Sequence, residues 1–448
     1  MKKIFLFIAL AAFTISAQTP TETFNLTTLQ PLQGTNWNFD ADVWYDSRPS
    51  RFPPDGRVNL PTLFVNNGAN LRITGTSAHP GIRIQVEGTA HITLENAVNR
   101  RTGPAVVIDY QGRYDHPSGT IFPEGAPFFG LPSYYHRASP MQLVGDGTHL
   151  TLTLVGENEL VLPPANAGWS AGLGVPEGTS IVIQGDGKLT ATGGTSASGI
   201  GGHQGGIPLS IQGGIALGHR GRTAGNITIN SGTIIAEGRG LASGIGSGSN
   251  VRGGTITING GDITAIGGTE SSFGGAGIGG GGTIRLWTNP LFININGGTV
   301  RAIGGPGSPG IGSGQRSTAN VSTENITINI NDGEIYATGG GGVGPADAGG
   351  AGIGGARTET GGNINIRGGT IIAVGGRPTS SGGAGIGGGG GFAGTGGHAG
   401  VINISGGTIH VRGGGGAQDI GNGSNHSGAE GVIRRSPNAT IDNVIPAQ

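Results

Sequence analysis

The sequence predicts an all-β chain, a single-stranded parallel β-helix with an N-terminal cap and one long loop insertion. Three observations carry this prediction. Glycine-rich strings built on one isoleucine recur: SGIGG at Ser198, SGIGSG at Ser243, GGAGIGGGG at Gly274, PGIGSG at Pro309, AGIGG at Ala351 and AGIGGGG at Ala384. The isoleucines of the series fall at 200, 245, 278, 311, 353, 386 and 420, so the gaps are 45, 33, 33, 42, 33 and 34 residues. A fixed period near 33 is the mark of a solenoid or array. Between the strings lie pairs of short alternating stretches, such as TITINGGDITAIGG at Thr255 and NINIRGGTIIAVGG at Asn363.

Each element of the repeat follows from its residues. Alternation at period two means strand rather than helix. In TITING, Ile256 and Ile258 share one side while Thr257 and Asn259 share the other. β-branched residues suit that pleated, half-buried surface. Glycine would cost a helix roughly 1 kcal/mol per residue against alanine. The unit therefore reads strand, Gly-Gly corner, strand, loop, and a short third segment holding the isoleucine. Three strands make one coil, and coils ~4.8 Å apart bury their isoleucines against one another. The glycines are expected at corners, where the backbone needs positive φ or close approach.

Other roles for the glycines fit less well. A phosphate loop needs Gly-Lys-Ser/Thr after its glycines, and no copy has it. A calcium-binding nonapeptide needs Asp as the sixth residue of GGxGxD, where this chain has Gly279. Composition narrows the class further. With 98 Gly and 24 Pro in 448 residues, the chain would read as disordered if it had no period. Only 11% of residues are charged and the net charge is −1, which argues against a nucleic-acid partner. There is no cysteine, hence no disulfide or thiolate metal site.

Residues 1–17 have the pattern of a secretory signal peptide. Lys2 and Lys3 precede an apolar run from Ile4 to Ile15, and Ile15-Ser16-Ala17 offers a small-residue cut before Gln18. The mature protein is thus expected to be secreted, extracellular or on the cell surface, without membrane insertion. Residues 18–59, richer in aromatics, read as a cap over the open strand edge. Residues 60–177 read as irregular first coils, 178–434 as glycine-rich repeats and 435–448 as a C-terminal cap.

Residues 110–141, YQGRYDHPSGTIFPEGAPFFGLPSYYHRASPM, interrupt the coil pattern. Long insertions in compact folds are often functional. Residues 18–177 hold 15 Phe, Trp or Tyr, against five in 178–448. Aromatic faces with polar handles suit sugar rings. Tyr110, Tyr114, Phe128, Phe129, Tyr134, Tyr135 and Arg137 are therefore the candidate ligand-binding residues, with a small local core as the plainer reading of the same aromatics.

The run WSAGLGVPEGTSIVIQGDGKLTATGGTSASGIGG from Trp169, followed by GGTITINGGDITAIGG and AGIGGGG, resembles bacterial surface proteins. These are described as carbohydrate-binding-domain-containing, Gly-rich β-helix repeat proteins. The similarity covers most of residues 143–423. It implies an extracellular right-handed parallel β-helix that binds polysaccharide or another surface glycan, or serves as an adhesin-like stalk. No LPxTG sequence is present, which departs from many such proteins.

Enzymatic chemistry has fewer footholds. A hydrolase needs two positioned carboxylates, and Asp262, Asp332, Glu334 and Asp347 read as scattered, without coil-to-coil register. A uronate lyase needs a base and a cation. Tyr134, His136 and Arg137 are the candidate catalytic residues for that alternative, with Asp115 and His116 nearby in sequence. Neither reading calls for a cofactor. His203, His219, His398 and His426 follow glycine turns at unequal separations, so no metal spacing is evident. Asp40, Asp42 and Asp46 are candidates for calcium, or for an ordinary turn-rich cap. The outward residues Thr228, Thr257, Asn294, Thr327, Asn365 and Asn403 are expected to hydrogen-bond along the rod. Because their identity changes from coil to coil, a flat ice-binding array is disfavoured. The readings compared are a non-enzymatic glycan binder, a lyase and a structural stalk.

Overall fold

In the computed structural model, residues 22–42, 44–46, 57–78, 81–101, 139–163, 170–203, 223–251, 253–269, 273–282, 289–315, 325–342, 348–376, 381–428 and 430–442 are described. Among them, 32 strands belong to one sheet, and two more, Trp44–Asp46 and Arg57–Asn59, pair antiparallel with each other. No helix among the described residues is long and apolar enough to cross a membrane. The architecture is the parallel β-helix the sequence predicts. Its right-handed sense agrees with the rule for parallel strands joined by crossovers.

Each coil has three walls. Wall A holds strands of the type Asn226–Ile229, wall B those of the type Thr233–Glu237, and wall C the dipeptides of the type Ile245–Gly246. In the described repeats, every strand pairs in parallel with its equivalent one coil on. Ile227 sits over Ile256, which sits over Ile293, then Ile328, Ile364 and Ile402. A second column runs through Ile229, Ile258, Ile295, Ile330, Ile366 and Ile404. Wall B contributes Ile234, Ile263, Val300, Ile335, Ile371 and Ile409, with an alanine column beside it. Wall C stacks the seven isoleucines of the glycine strings. The core is one continuous cluster from Phe24 to Ile420. Full burial of one such isoleucine stabilises by about 1.5–3 kcal/mol, and no coil achieves it alone.

The glycine after each wall C isoleucine has a reason beyond corner flexibility. Gly246, Gly279 and Gly312 have φ of 129°, 133° and 144°. A Cβ on Gly246 would lie 2.1 Å from the Gly279 carbonyl oxygen, and one on Gly279 would lie 2.1 Å from that of Gly312. The missing side chain would point along the rod into the next coil. The glycine before each isoleucine is confined differently. A Cβ on Gly244 would meet the Ala236 carbonyl oxygen at 2.7 Å, and one on Gly277 that of Ala265 at 2.8 Å. Walls B and C close tightly there, at the alanine column.

The irregular N-terminal strands follow the same plan. Arg83–Arg100 is one strand that visits all three walls. Its Ile84 lies beside Met141, its Ala90 beside Leu150 and its Asn99 beside Leu160. Ahead of it, Glu22–Asn25 lies parallel to Asn70–Thr76, whereas Trp37–Asp40 lies antiparallel to Thr62–Val65. Phe24, Trp37 and Phe39 are buried together, with ring centroids 5.8 Å apart for Phe24–Trp37 and 5.3 Å for Phe24–Phe39. At the far end the ladder continues through Val432–Arg435 and Thr440–Asp442, with Ile433 and Ile441 packed on the core.

Candidate functional site

Tyr110, Tyr114, Phe128, Phe129, Tyr134, Tyr135, His136 and Arg137 all lie outside the described residues, as do Asp115, His116, His219 and Asp347. The two flanks of that segment are described, and buried polar groups hold them. Asn99 occupies an inward position beside Leu160 and is 1% exposed. Its amide donates to the carbonyl oxygens of Ile82 (3.0 Å) and Pro140 (3.1 Å), and its oxygen accepts from Ser77 Oγ (3.0 Å) and Ile82 N (3.3 Å). Arg101, 1% exposed, donates to the Gly81 carbonyl at 3.2 Å. One coil later Asn158 takes the place of an isoleucine beside Leu189 and binds Ala97 N and the Lys188 carbonyl. Buried amides thus replace apolar residues where the coil path is irregular and backbone groups need partners.

The scattered ionisable candidates are held in structural roles. Asp40 Oδ1 accepts from Asp42 N at 2.8 Å, a local turn. His203 Nδ1 accepts from Ala171 N, and His398 Nδ1 from Gly400 N, each at 3.0 Å. Among the described residues, no three His, Asp or Glu groups converge as a metal site would require. One expectation needs correcting. Asp262 and Glu334 are in register on the outside of wall B, in one column with Thr299 between them. Both residues directly follow the corner glycine of their copies, in GGDITA and DGEIYA. Asp262 is paired with Arg301 at 2.7 Å, Glu334 accepts the Tyr336 hydroxyl, and Arg301 lies over the Tyr336 ring at 5.3 Å. Because Tyr336 donates to Glu334, its phenol pKa is raised above the usual tyrosine range.

The outside of wall A is different in kind. Its outward positions are Ser180, Val182 and Gln184, then Asn226, Thr228 and Asn230, and so on to Val401, Asn403 and Ser405. Among these, Arg367 is the one charged side chain. Two amide ladders run along the face. In the first, Asn329 donates to Asn294 (2.8 Å), Asn365 to Asn329 (2.9 Å) and Asn403 to Asn365 (2.9 Å). Arg434 caps it by donating to Asn403 at 3.2 Å. In the second, Asn259 donates to Asn230 (2.8 Å), Asn296 to Asn259 (2.7 Å) and Asn331 to Asn296 (2.7 Å), capped by Arg367 at 3.0 Å. Here too the structure corrects the sequence reading. Thr327 pairs with Phe292, and Asn329 is the residue stacked on Asn294. The string ITININDG has three outward residues, Thr327, Asn329 and Asn331, and the middle one falls level with Asn294 when the copies are lined up on the glycine corner.

An open groove of about 480 Å³ lies at the corner between walls C and A. Glu177, Thr179, Ser180, Thr223, Asn226 and Asn289 supply its polar lining. The pairing of Pro176 with Ala224, and the bond from Glu177 N to the Thr223 carbonyl at 2.9 Å, join the two coils at this corner. Ser180 shares a hydrogen bond with His149 Nδ1 at 2.8 Å. Ser180 and Asn226 belong both to the groove and to the first outward row of wall A, so the two features are continuous. That row proceeds from Asn226 to Thr255, Phe292, Thr327 and Asn363.

A family model described as "Beta helix repeat" matches residues 227–249, 256–282 and 293–315. The match falls on three successive coils of the parallel β-helix. No curated protein and no solved structure matches it significantly.

Proposed function

We propose that this protein is a secreted, non-enzymatic β-helix that binds polysaccharide or another surface glycan along its rod. The observation that carries this reading is the outside of wall A, a long hydrogen-bonding face with almost no charge. Sugar hydroxyls both donate and accept, and an amide offers both partners. The ladders hold those amides in fixed orientations, which lowers the entropy cost of binding. The adjoining groove adds a carboxylate and several hydroxyls at one end of the row. The signal-like residues 1–17 support export, where such polymers are met. Catalysis is not part of the reading, since Asp262 and Glu334 are engaged on an open face by Arg301 and Tyr336.

Retention of the full mature chain on a panel of immobilised polysaccharides tests the reading. Binding to at least one polymer, without release of reducing ends or unsaturated products, is expected. Failure to bind any polymer leaves a structural stalk as the better account.

A further inference from the structure

We infer that the ligand is a neutral polysaccharide lying parallel to the rod on the outside of wall A, with one sugar ring stacked on Phe292. This inference rests on the glycan-binding reading and adds the place, the orientation and the chemical class.

Phe292 is the starting point. It is 44% exposed and is the one aromatic among the large hydrophobic side chains that stand exposed in the described residues. Its neighbours in the row are Thr255 and Thr327, so a ring stands where the adjacent coils place a small polar side chain. The alternation of Leu291–Ile295 turns Leu291, Ile293 and Ile295 inward, so Phe292 plays no part in filling the core. An exposed aromatic face on a rigid strand offers apolar area to the C–H face of a sugar ring.

The surroundings fix the class. Asn294 and Asn296 lie on the same strand as Phe292 or directly after it, and each sits in one of the two ladders. A ladder amide spends one N–H and one oxygen lone pair on its neighbours. The other N–H and lone pair remain for a ligand. An acidic polymer would need cations along its path. The outward positions from Ser180 to Ser405 supply one cation, Arg367, and Arg434 adds a second only one coil beyond their end. Uronate and sulfated polymers therefore fit poorly.

The row also fixes the direction. The groove residue Asn226 lies two coils before Phe292, about 10 Å along the axis at the ordinary strand spacing. A chain laid along the row reaches the groove and the ring together, whereas one laid across the strands reaches only one of them.

The test uses the full chain and three probes: a neutral glucan, a neutral mannan and polygalacturonate. Affinity is measured by calorimetry or affinity electrophoresis at low and high salt. One neutral polymer is expected to bind, with little salt dependence, since no ion pairs are involved. Phe292→Ala should weaken that binding about tenfold, while Phe292→Tyr retains it. Circular dichroism should be the same for all three proteins, because the ring is outside the core. Longer oligosaccharides should bind better until the span from the groove to Phe292 is filled. Unchanged neutral binding in Phe292→Ala overturns the location. Binding to polygalacturonate alone overturns the class but leaves the glycan reading standing. Binding to none of the three, when the wider panel also yields nothing, removes both.

Discussion

Gly279→Ala is the sharpest test of why this chain needs its glycines. The substitution adds one methyl group to a residue with φ of 133°. That methyl would stand 2.1 Å from the Gly312 carbonyl oxygen and 3.2 Å from Ile293 Cδ1. Contacts under 3.0 Å are essentially never seen, so the next coil must withdraw by about 0.9 Å at that point. Opposing terms set the size of the effect. The positive φ costs about 1–2 kcal/mol for a residue with a side chain, and overpacking costs about 1–3 kcal/mol. Restricting the unfolded chain returns about 0.4–1 kcal/mol. The net expectation is a loss of about 1–4.5 kcal/mol. Gly147→Ala is the control. Its φ is 84°, but nothing lies within 4 Å of the added methyl, so only the φ cost remains and its loss should be about 1.5 kcal/mol or less. Urea unfolding gives the totals, and hydrogen exchange resolved by coil gives the location. In a stack of repeats the damage belongs at the interface between neighbours, here the coils of Gly279 and Gly312. Equal losses in the two variants, or protection lost evenly along the rod, would refute the argument that stacking excludes the side chain.

Three further outcomes follow from named contacts. Asn365→Ala breaks the amide ladder on both sides and should cost about 1–2 kcal/mol in urea unfolding, whereas Asn363→Ala, two residues away on the same face, should cost less than about 0.5 kcal/mol; equal effects would show that the ladder contributes nothing. Asn99→Leu keeps the branching of the inward side chain but strands Ile82 N and the Ile82 carbonyl, while the Pro140 carbonyl keeps its bond from Ile84 N, so a loss of about 2 kcal/mol or more is expected, and a neutral result would contradict the bonding assigned there. Hydrogen bonds to Glu22 from the Thr35 hydroxyl, the Trp37 indole and the Thr35 amide, in that order, hold its carboxyl pKa below the usual 4.5. A lowered folded-state pKa means the stabilisation is complete above the unfolded value and disappears as pH falls through the folded one. Trp37 fluorescence should therefore change only at pH values below 4.5, and this change should be missing from Glu22→Gln; an identical transition in the variant would assign it elsewhere.

Much of the fold was legible because it is local and repeated. The seven isoleucines spaced by the glycine strings predicted one column, and the alternation in TITING correctly assigned Ile256 and Ile258 to the interior. Parallel stacking turns each such pattern into a column, so one copy carries the information of all. The glycines were legible as corners, but the reason for them was not. Whether a Cβ meets open space, as at Gly147, or a carbonyl 2.1 Å away, as at Gly279, depends on the neighbouring coil.

What the chain alone determined is the class of object: strands of period two, coils of about 33 residues, and an interior of isoleucine. These follow from side-chain alternation and backbone preference, which act over a few residues. Tertiary structure decided the register. It seated Asn99 and Asn158 in inward positions, and placed Phe292 in one row with the groove residues Ser180 and Asn226. Loops of unequal length separate these partners along the chain. Only the pairing of whole coils, driven by burial of the shared core, determines which outward side chains become neighbours.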